Sequence, residues 1–408
     1  MQSIKSLKSA IEKQITQSAD DISIIELVDL LVEYAYSSRA SDIHIEPAEK
    51  RVVIRLRIDG ILQDEFAIPK ELHDEIISRI KVLSSLKTDI HHVPQDGRFK
   101  AKIEARENID IRVSIAPTYY DENAVLRILA ETNQVFSFDE LGFTKEQLAI
   151  VEKSVKKPYG MILVNGPTGS GKTTTLYTIL KKLSTREISI ITIEDPIEYS
   201  IEGVTQIPVS TQAGLTFANG LRSILRQDPN IIMVGEIRDS ETANIAVNAS
   251  LTGHLMLSTL HTNDAATTFP RLIDMGVPPF LVASTLNVAV AQRLVRKACP
   301  ACKKERSLDA AELQNFGGAA AAMGVKKLTT AGKGCDQCNG TGYMGRTGIH
   351  EVLEVRDNIR GLIVARADSN QIKQAAVKNG MLTMIEDGLV KAREGITTIE
   401  EVLRIIYE

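Results

Sequence analysis

The chain has 408 residues, of which 43% are apolar and 25% charged, a composition typical of a folded globular protein of two or three domains. Its 48 basic and 52 acidic residues give a net charge of −4, which excludes a protein that binds nucleic acid through its bulk charge. Tryptophan is absent and aromatic residues make up 4%, so a stacking platform for single strands is disfavoured. No apolar run of about 20 residues is present, and no transmembrane helix is predicted.

The N-terminal third carries signals for a small α+β domain over residues 21–131. Residues 1–20 are polar and are predicted to form a linker or a helix. From Ile24 to Ala35, apolar residues recur at the spacing of one helix face. Alternating patterns indicate a mostly antiparallel sheet, and Asp59-Gly60 is a tight-turn signal. A further helix is predicted over 71–86, and strands over 51–58, 109–115 and 124–129.

Residues 132–139 lack a clear period and are the predicted interdomain linker. In the following region, 140–298, short apolar runs alternate with helical patterns, which predicts a parallel sheet covered by helices on both faces. The fold class is therefore α/β in this part of the chain. The predicted strands are 161–164, 188–193, 231–234 and 255–260, and a helix is predicted over 173–183.

Beyond the α/β core, the composition of residues 299–345 shifts to Cys, Gly, Ala and Lys, which indicates a separate subdomain. Within it, 317–324 is predicted to be a flexible or variable insert. Residues 346–408 are predicted to form a helical subdomain. Its helical patterns cover 359–367, 369–379 and 389–393.

A phosphate-binding loop is the strongest signal for chemistry. Residues 166–173 fit G-x-x-x-x-G-K-[ST] between an apolar strand and a helix. Its glycines let backbone N–H groups wrap the phosphates of ATP, and the helix N-terminus adds a positive dipole end. Lys172 is predicted to reach the β- and γ-phosphates, and the Thr173 hydroxyl to ligate Mg²⁺. The predicted nucleotide-binding residues are Gly166, Pro167, Thr168, Gly169, Ser170, Gly171, Lys172, Thr173 and Thr174.

Two acids at the ends of predicted strands are candidates for ordering the water shell of the metal and the attacking water. Glu236 follows an apolar run and Gly235, whereas Glu194 ends another such run. The sequence leaves open which of the two is the general base. His254 and His261 flank a third run and are candidates for sensing the γ-phosphate.

All four cysteines lie in two C-x-x-C pairs. Cys299, Cys302, Cys335 and Cys338 supply four thiolates, which suit a structural, tetrahedral Zn²⁺ site. Disulfides, free thiols and an iron–sulfur cluster are the alternatives. The N-terminus lacks the apolar segment of a secretory signal, so a cytosolic, reducing location is predicted, and this favours the metal.

Together these residues resemble the secretion ATPase superfamily of type II secretion and type IV pilus assembly, close to its GspE/PilB branch. The motifs that carry the resemblance are ASDIHIEP at 40–47, RIDG at 57–60, VPQDGR at 93–98, IDIRVS at 109–114, GPTGSGKT at 166–173 (Walker A), ITIEDPIEY at 191–199 (aspartate box), LRSILRQDPNIIMVGEIRD at 221–239 (Walker B region) and TGHLMLSTLHTNDA at 252–265 (histidine box). Retraction ATPases of the superfamily lack the cysteine pairs, so assembly is favoured over retraction.

The resemblance implies a PAS-like N-terminal domain joined to a RecA-like ATPase domain in a homo-hexamer. ATP would lie between the two domains. Their closure would transmit force to an inner-membrane platform protein and to other secretion or pilus assembly proteins. The motor would thus be cytoplasmic and peripheral at the inner membrane. Arg112 and Arg127 match arginines that reach the γ-phosphate, and Arg222, Arg226 and Arg238 match further arginines around the Walker B region.

Two functions of other kinds remain to be weighed against a motor for secretion or pilus assembly. One is a motor for DNA uptake or conjugation, but the near-neutral charge and the few aromatic residues argue against direct contact with nucleic acid. The other is a scaffold that binds ATP without turnover. The presence of Lys172, Glu194 and Glu236 argues against such a scaffold.

Overall fold

The computed structural model describes residues 4–17, 21–103, 107–129, 137–307 and 327–407. The chain divides into two compact units, Met1–Gln134 and Val135–Glu408. Each unit has hydrophobic core residues of its own, one cluster in the first and two in the second.

An antiparallel sheet forms the centre of the described part of the first unit. Its order is β3-β2-β1-β6-β5-β4, and each neighbouring pair is antiparallel, which confirms the predicted sheet type. Asp59 and Gly60 have φ values of 50° and 91° at the turn between β2 and β3, as a two-residue hairpin requires. The strands are β1 (Ala40–Pro47), β2 (Arg51–Ile58), β3 (Ile61–Pro69), β4 (Gln95–Ile103), β5 (Glu107–Pro117) and β6 (Glu122–Leu129).

Helices α1 (Ile4–Ile15), α2 (Ile24–Ser37) and α3 (His73–Leu83) belong to the same unit. The Ser23 hydroxyl caps α2 by accepting a hydrogen bond from the Glu26 N–H at 3.4 Å. Both predicted helices are confirmed, but α3 ends three residues before the predicted boundary. Ser85 takes a left-handed φ of 55° there, which stops the helix.

Neither β1 nor β4 is among the predicted strands, and the reason differs between the two. Strand β1 begins with the polar pair Ser41-Asp42, which obscures its alternation although it lies in the middle of the sheet. Strand β4 lies at the edge of the sheet and is largely polar, as edge strands often are.

A mixed sheet is the centre of the second unit, in the order β15-β12-β7-β11-β10-β8-β9. The pairs from β12 to β9 are parallel, as predicted, whereas β15 pairs with β12 antiparallel. Every residue of β7, β8, β10 and β11 is buried, which explains their continuous apolar runs. The strands are β7 (Gly160–Asn165), β8 (Ile190–Glu194), β9 (Thr205–Pro208), β10 (Ile231–Val234), β11 (Leu255–Leu260), β12 (Leu286–Ala298), β13 (Lys304–Ser307), β14 (Lys327–Thr330) and β15 (Tyr343–Glu354).

Helices of the second unit surround this sheet and continue to the C-terminus. The helices predicted in 173–183, 359–367, 369–379 and 389–393 are all present, with shifted ends. The helices are α4 (Lys145–Val155), α5 (Lys172–Leu183), α6 (Phe217–Ile224), α7 (Ser240–Leu251), α8 (Thr268–Asp274), α9 (Pro279–Thr285), α10 (Asp357–Val364), α11 (Ser369–Lys378), α12 (Met384–Arg393) and α13 (Ile399–Tyr407).

Strands β13 and β14 form a separate two-stranded antiparallel sheet in the cysteine-rich region. The predicted variable insert at 317–324 lies outside the described residues, as does most of the predicted linker at 132–139. In the part of the chain that the structure describes, no helix has the length and apolar character needed to cross a membrane.

Candidate functional site

The predicted phosphate-binding loop joins β7 to α5, as its sequence pattern requires. Gly166, Gly169 and Gly171 have φ values of 145°, 80° and 85°, which side chains other than glycine rarely allow. Helix α5 begins at Lys172, directly after the loop. Its first N–H groups lack partners within the helix and, with the dipole, favour an anion at this end.

The Lys172 side chain folds back onto the phosphate-binding loop that precedes it. Its Nζ donates hydrogen bonds to the backbone carbonyls of Gly166 and Pro167, at 2.9 Å each. Burial lowers the pKa of Lys172, while the negative charge of Glu236 acts in the opposite direction.

Glu236 is held between Arg238 and His261 just after the end of β10. One oxygen accepts a hydrogen bond from Arg238, and the other lies 3.1 Å from Nε2 of His261. Burial acts to raise the pKa of Glu236, but Arg238 and His261 outweigh it and hold the pKa below its ordinary value. Glu236 is thus kept ionised, as a ligand or base near a metal must be.

The parallel register places the loop and His261 at one level of the sheet. Asn165 of β7 pairs with Leu260 of β11, so Gly166 and His261 follow side by side at the carboxyl ends of their strands. Ligands of α/β proteins bind at this edge, where loops and helix N-termini meet. The structure therefore brings Glu236 and His261 together at the edge of the sheet where the phosphate loop and Lys172 lie.

Glu194, the second candidate acid, ends β8 and is nearly fully buried. Its carboxylate accepts hydrogen bonds from the Tyr177 hydroxyl, from Thr192 Oγ1 at 2.5 Å and from Gln206 Nε2 at 3.1 Å. Burial, reinforced by the Glu194 hydrogen bond and charge, raises the pKa of Tyr177, so this phenol stays a donor. Both oxygens of Glu194 are engaged by neutral partners, unlike those of Glu236.

His254 does not lie where a phosphate sensor is needed, and its prediction as a sensor within this chain is wrong. It precedes β11, whereas the loop follows β7, and the two strands are parallel. Six residues of strand separate the two edges, roughly 20 Å. The ring Nδ1 of His254 lies 3.0 Å from the carbonyl of Ala249, which gives this histidine a structural contact.

The arginines around the Walker B region have different surroundings. Arg238 contacts Glu236, as described above. Arg222 pairs with Glu241 at 2.5 Å, and Arg226 donates to the carbonyl of Arg222 at 2.9 Å. The described contacts of Arg222 and Arg226 are thus with α6 and α7 rather than with the loop.

Arg112 and Arg127 in the first unit lie directly opposite each other on β5 and β6, which confirms that they share one face of the sheet. Arg127 donates to Asp42 Oδ1 at 2.9 Å, while 63% of its side chain remains exposed. On the next strand, β4, Arg98 lies opposite Arg112. On the other side, Asp42 of β1 lies opposite both Arg127 and Arg57 of β2. We call these five residues the arginine row, in which one carboxylate accompanies four guanidinium groups.

The two cysteine pairs come together. Sγ atoms lie 3.7 Å apart between Cys299 and Cys335, 3.9 Å between Cys302 and Cys338, and 3.8 Å within the second pair. A tetrahedral ion with Zn–S bonds of about 2.3 Å separates its sulfurs by about 3.8 Å. The four side chains therefore fit a tetracysteine site, and the observed distances exclude a formed disulfide.

Backbone donors favour a thiolate at this cluster. The N–H groups of Cys335 and Gly342 each lie 3.2 Å from Sγ of Cys338. Burial acts to raise the pKa of Cys338, but these hydrogen bonds outweigh it and lower the pKa to about 6. A thiolate is the form that binds a metal.

Several buried or half-buried polar residues around the site are not predicted from the sequence. Tyr177 and Gln206 hold Glu194, and Gln292 contacts the phosphate loop. None belongs to a local motif, because each reaches its partner from a different element. The one available signal is the polar Gln292 directly after the apolar run 288–291.

These features define a protein of the phosphate-loop nucleotide-binding class. Residues 17–404 match the sequence model of the type II/IV secretion system protein family, and the chain belongs to that family. Over 393 residues it is 47% identical to type II secretion system protein E of Xanthomonas campestris pv. campestris, covering 95% of this chain and 68% of that protein. It is 45% identical over 391 residues to the type IV pilus assembly ATPase PilB of Myxococcus xanthus, covering 96% and 69%.

Solved structures agree with this assignment. The ATPase DotB of Legionella pneumophila has a TM-score of 0.69 at 22% identity, covering 96% of this chain and 98% of that one, which shows a common fold. The pilus retraction motor PilT with bound ADP has a TM-score of 0.59 at 25% identity, covering 92% and 96%. Family, fold and phosphate loop together identify the chain as an ATPase of the secretion family.

Removing the contact between Arg238 and Glu236 should change the pH dependence of ATP hydrolysis. Without Arg238, the effect of burial on Glu236 is less opposed, and the carboxylate takes up a proton at a higher pH. Arg238→Gln should therefore move the acid limb of the kcat/KM profile for ATP hydrolysis to higher pH. Arg186→Gln, which removes an exposed arginine in the loop after α5, is the control and should leave that limb in place. An unmoved acid limb in Arg238→Gln would contradict the role given to this contact.

Proposed function

We propose that this chain hydrolyses ATP to drive assembly of a pilus or pseudopilus, for type II protein secretion or type IV pilus biogenesis. The observation that carries the proposal is the grouping of the phosphate loop, Lys172 and the ionised Glu236 at one sheet edge. The relatives named above are a type II secretion protein and a pilus assembly ATPase, which supports assembly as the work done. Phosphate release by the purified chain, with and without single-stranded DNA, tests the proposal against a DNA motor and a non-hydrolysing scaffold.

The roles of the loop residues follow from their positions. The N–H groups of the loop and of the first turn of α5 bind the phosphates, and Lys172 neutralises charge on the β- and γ-phosphates. Thr173 in that first turn is placed to hold Mg²⁺, which offsets developing charge on the phosphates. His261 contacts Glu236 and is proposed to sense the γ-phosphate through it.

We assign the carboxylate that orders the metal's water shell to Glu236. Its charge acts on Lys172, and both of its contacts are with cationic or ionisable side chains. Glu194 is the second candidate for activating the attacking water. Its oxygens already accept three hydrogen bonds from Tyr177, Thr192 and Gln206, but such contacts often rearrange when substrate binds.

Two substitutions should fail at different steps of ATP hydrolysis. Lys172→Ala should lose nucleotide binding, because the charge that meets the phosphates is removed. Glu236→Gln should keep binding but lower turnover by about 100-fold or more, since only the chemical step needs the carboxylate. Binding is measured with a fluorescent nucleotide and turnover by phosphate release.

Glu187→Gln, at an exposed acid near the end of α5, serves as the matched charge control and should behave as the unaltered chain. Glu194→Gln, measured beside it, separates the two candidate acids. Wild-type turnover in Glu236→Gln, with a loss in Glu194→Gln, would transfer the role of base to Glu194.

The cysteine cluster is proposed to hold one structural Zn²⁺. Four thiolates leave no open coordination position, so the metal fixes the fold of the cysteine-rich region and takes no part in hydrolysis. A Cys338 thiolate stabilised by two N–H groups suits this role. An iron–sulfur cluster has no further support, because no other feature points to redox chemistry.

Elemental analysis of the purified chain should find about one zinc per chain. Cys302→Ser should lose most of the metal and lower the thermal stability, while nucleotide affinity is retained. Lys172→Ala is the reciprocal control, because it should lose nucleotide and keep zinc. Less than about half a zinc per chain in protein purified without chelators would count against the site.

The arginine row is proposed to supply positive charge to the γ-phosphate in the transition state. The proposal rests on the match of Arg112 and Arg127 to the family's γ-phosphate arginines. The register supports it, because it places Arg98, Arg112 and Arg127 next to one another on neighbouring strands. A loose phosphoryl-transfer transition state spreads charge that Lys172 and Mg²⁺ neutralise only in part.

Arg112→Ala or Arg127→Ala should lower turnover roughly 10-fold or more, with a much smaller change in ATP affinity, because the charge is needed mainly in the transition state. Single-turnover rates and nucleotide titrations separate the two effects. Arg51→Ala, at an exposed arginine at the start of β2, is the control. Unchanged turnover in the Arg112→Ala, Arg127→Ala double variant would reject the proposal.

The assembly and its partners are proposed on the family resemblance. The first unit corresponds to a PAS-like domain and the second to a RecA-like ATPase core with the cysteine subdomain. Six copies would form a cytoplasmic ring at the inner membrane, acting on a platform protein and on other secretion or pilus assembly proteins. No direct contact with nucleic acid is expected.

A further inference from the structure

A buried amide on β12 reaches the phosphate loop from the neighbouring strand. Ala291 of β12 pairs with Asn165 of β7, so Gln292 lies beside the first residue of the loop. The Gln292 side chain is 2% exposed. Its Nε2 donates to the carbonyl of Ser170 at 2.9 Å, and its Oε1 accepts from Thr175 Oγ1 at 2.7 Å. The Gln292 side chain thereby connects the phosphate-binding loop to helix α5.

The contact fixes the direction of a peptide group in the phosphate-binding loop. In a trans peptide, the C=O of one residue and the N–H of the next point in opposite directions. The carbonyl of Ser170 points to Gln292, so the N–H of Gly171 points away from β12. This N–H belongs to the last peptide before α5, where the loop wraps a phosphate.

We propose that Gln292 is a positioning residue that locks the Ser170–Gly171 peptide in the orientation needed for phosphate binding. The proposal rests on the proposed function, since it concerns the same nucleotide. It gives strand β12 a role in phosphate binding that none of the sequence motifs indicates.

A lock is needed because glycine does not hold this orientation by itself. Gly171 has a φ of 85°, and glycine adopts negative φ about as readily. Rotation of the Ser170–Gly171 peptide would exchange the places of the carbonyl and the N–H. An oxygen would then face the phosphates and repel them.

The packing around the loop supports this role. A Cβ on Gly171 would lie 2.8 Å from Nε2 of Gln292, and a Cβ on Gly166 would overlap the Gln292 carbonyl. Both glycines therefore contact the same residue. Thr175 fixes the direction of the amide, because its hydroxyl donates to Oε1 and leaves Nε2 for Ser170.

Gln292→Glu in the full chain tests the proposal. The ionised carboxylate of this variant cannot donate to the Ser170 carbonyl but can accept from a flipped Gly171 N–H, so it should favour the wrong orientation. The Kd for Mg-ADP should rise about 10- to 100-fold at pH 8. On lowering the pH, the protonated carboxyl regains a donor, so the Kd of the variant should fall toward that of the unaltered chain.

Asn287→Asp is the matched control, because Asn287 is also a buried amide of β12 that donates to a backbone carbonyl, that of Tyr159 at 3.1 Å. It should lower thermal stability without changing the Kd for Mg-ADP or its pH dependence. Thr175→Val removes the hydroxyl that orients Gln292 and should weaken ADP binding less than Gln292→Glu.

The outcomes separate this proposal from the proposed function. No ADP binding by the unaltered chain would overturn the function itself. Normal binding by a folded Gln292→Glu variant at pH 8 would overturn only the lock. A raised Kd that does not recover at lower pH would also reject the lock, because a merely structural defect gives that result. If Gln292→Glu does not fold, an unchanged Kd in Thr175→Val rejects the lock and a raised Kd supports it.

Discussion

The parallel register of β12, β7, β11 and β10 is the constraint on which the site depends. It ends β7 and β11 at a common edge and β10 within two residues of it, so the residues that follow these three strands meet there, and β12 passes the same edge at Gln292. The loop follows β7, His261 follows β11, and Glu236 follows β10. Slipping one of these buried strands by a single residue would turn each of its side chains to the opposite face of the sheet and remove its contribution to the site.

Burial and neighbouring groups act differently on the two ionisable residues of the site. Lys172 is partly buried, and burial lowers its pKa, while the N–H groups at the start of α5 lack helical partners. The pKa of Glu236 is instead held low by Arg238 and His261, so its negative charge is favoured where it stands. In the proposed function, a bound phosphate with Mg²⁺ would pair with the lysine and the N–H groups, and the carboxylate would face the metal. Two ionisable groups whose pKa values are shifted by their surroundings thus lie at one edge of the sheet, as is common at functional sites.

Sequence patterns predicted the features that neighbouring residues encode. They could not predict contacts that depend on how distant strands pair. The loop, its helix and the buried strands are visible because each needs particular residues at fixed spacing. The antiparallel pairing of β15 and the bridge from Gln292 to Ser170 depend on strands far apart in the chain. His254 is different, because it precedes the run at 255–260, and a parallel sheet places such a residue at the edge opposite the loop.

The strand register also determines which charged side chains lie next to one another in the arginine row. Like charges directly opposite each other on neighbouring strands destabilise a sheet, and Arg112 lies between Arg98 and Arg127. The single carboxylate of the row, Asp42, already pairs with Arg127 at 2.9 Å and with Arg57 at 3.6 Å. In the proposed function, this face of the sheet meets the γ-phosphate, and the charge of that group in the transition state of hydrolysis has the sign that the guanidinium groups of the row would stabilise.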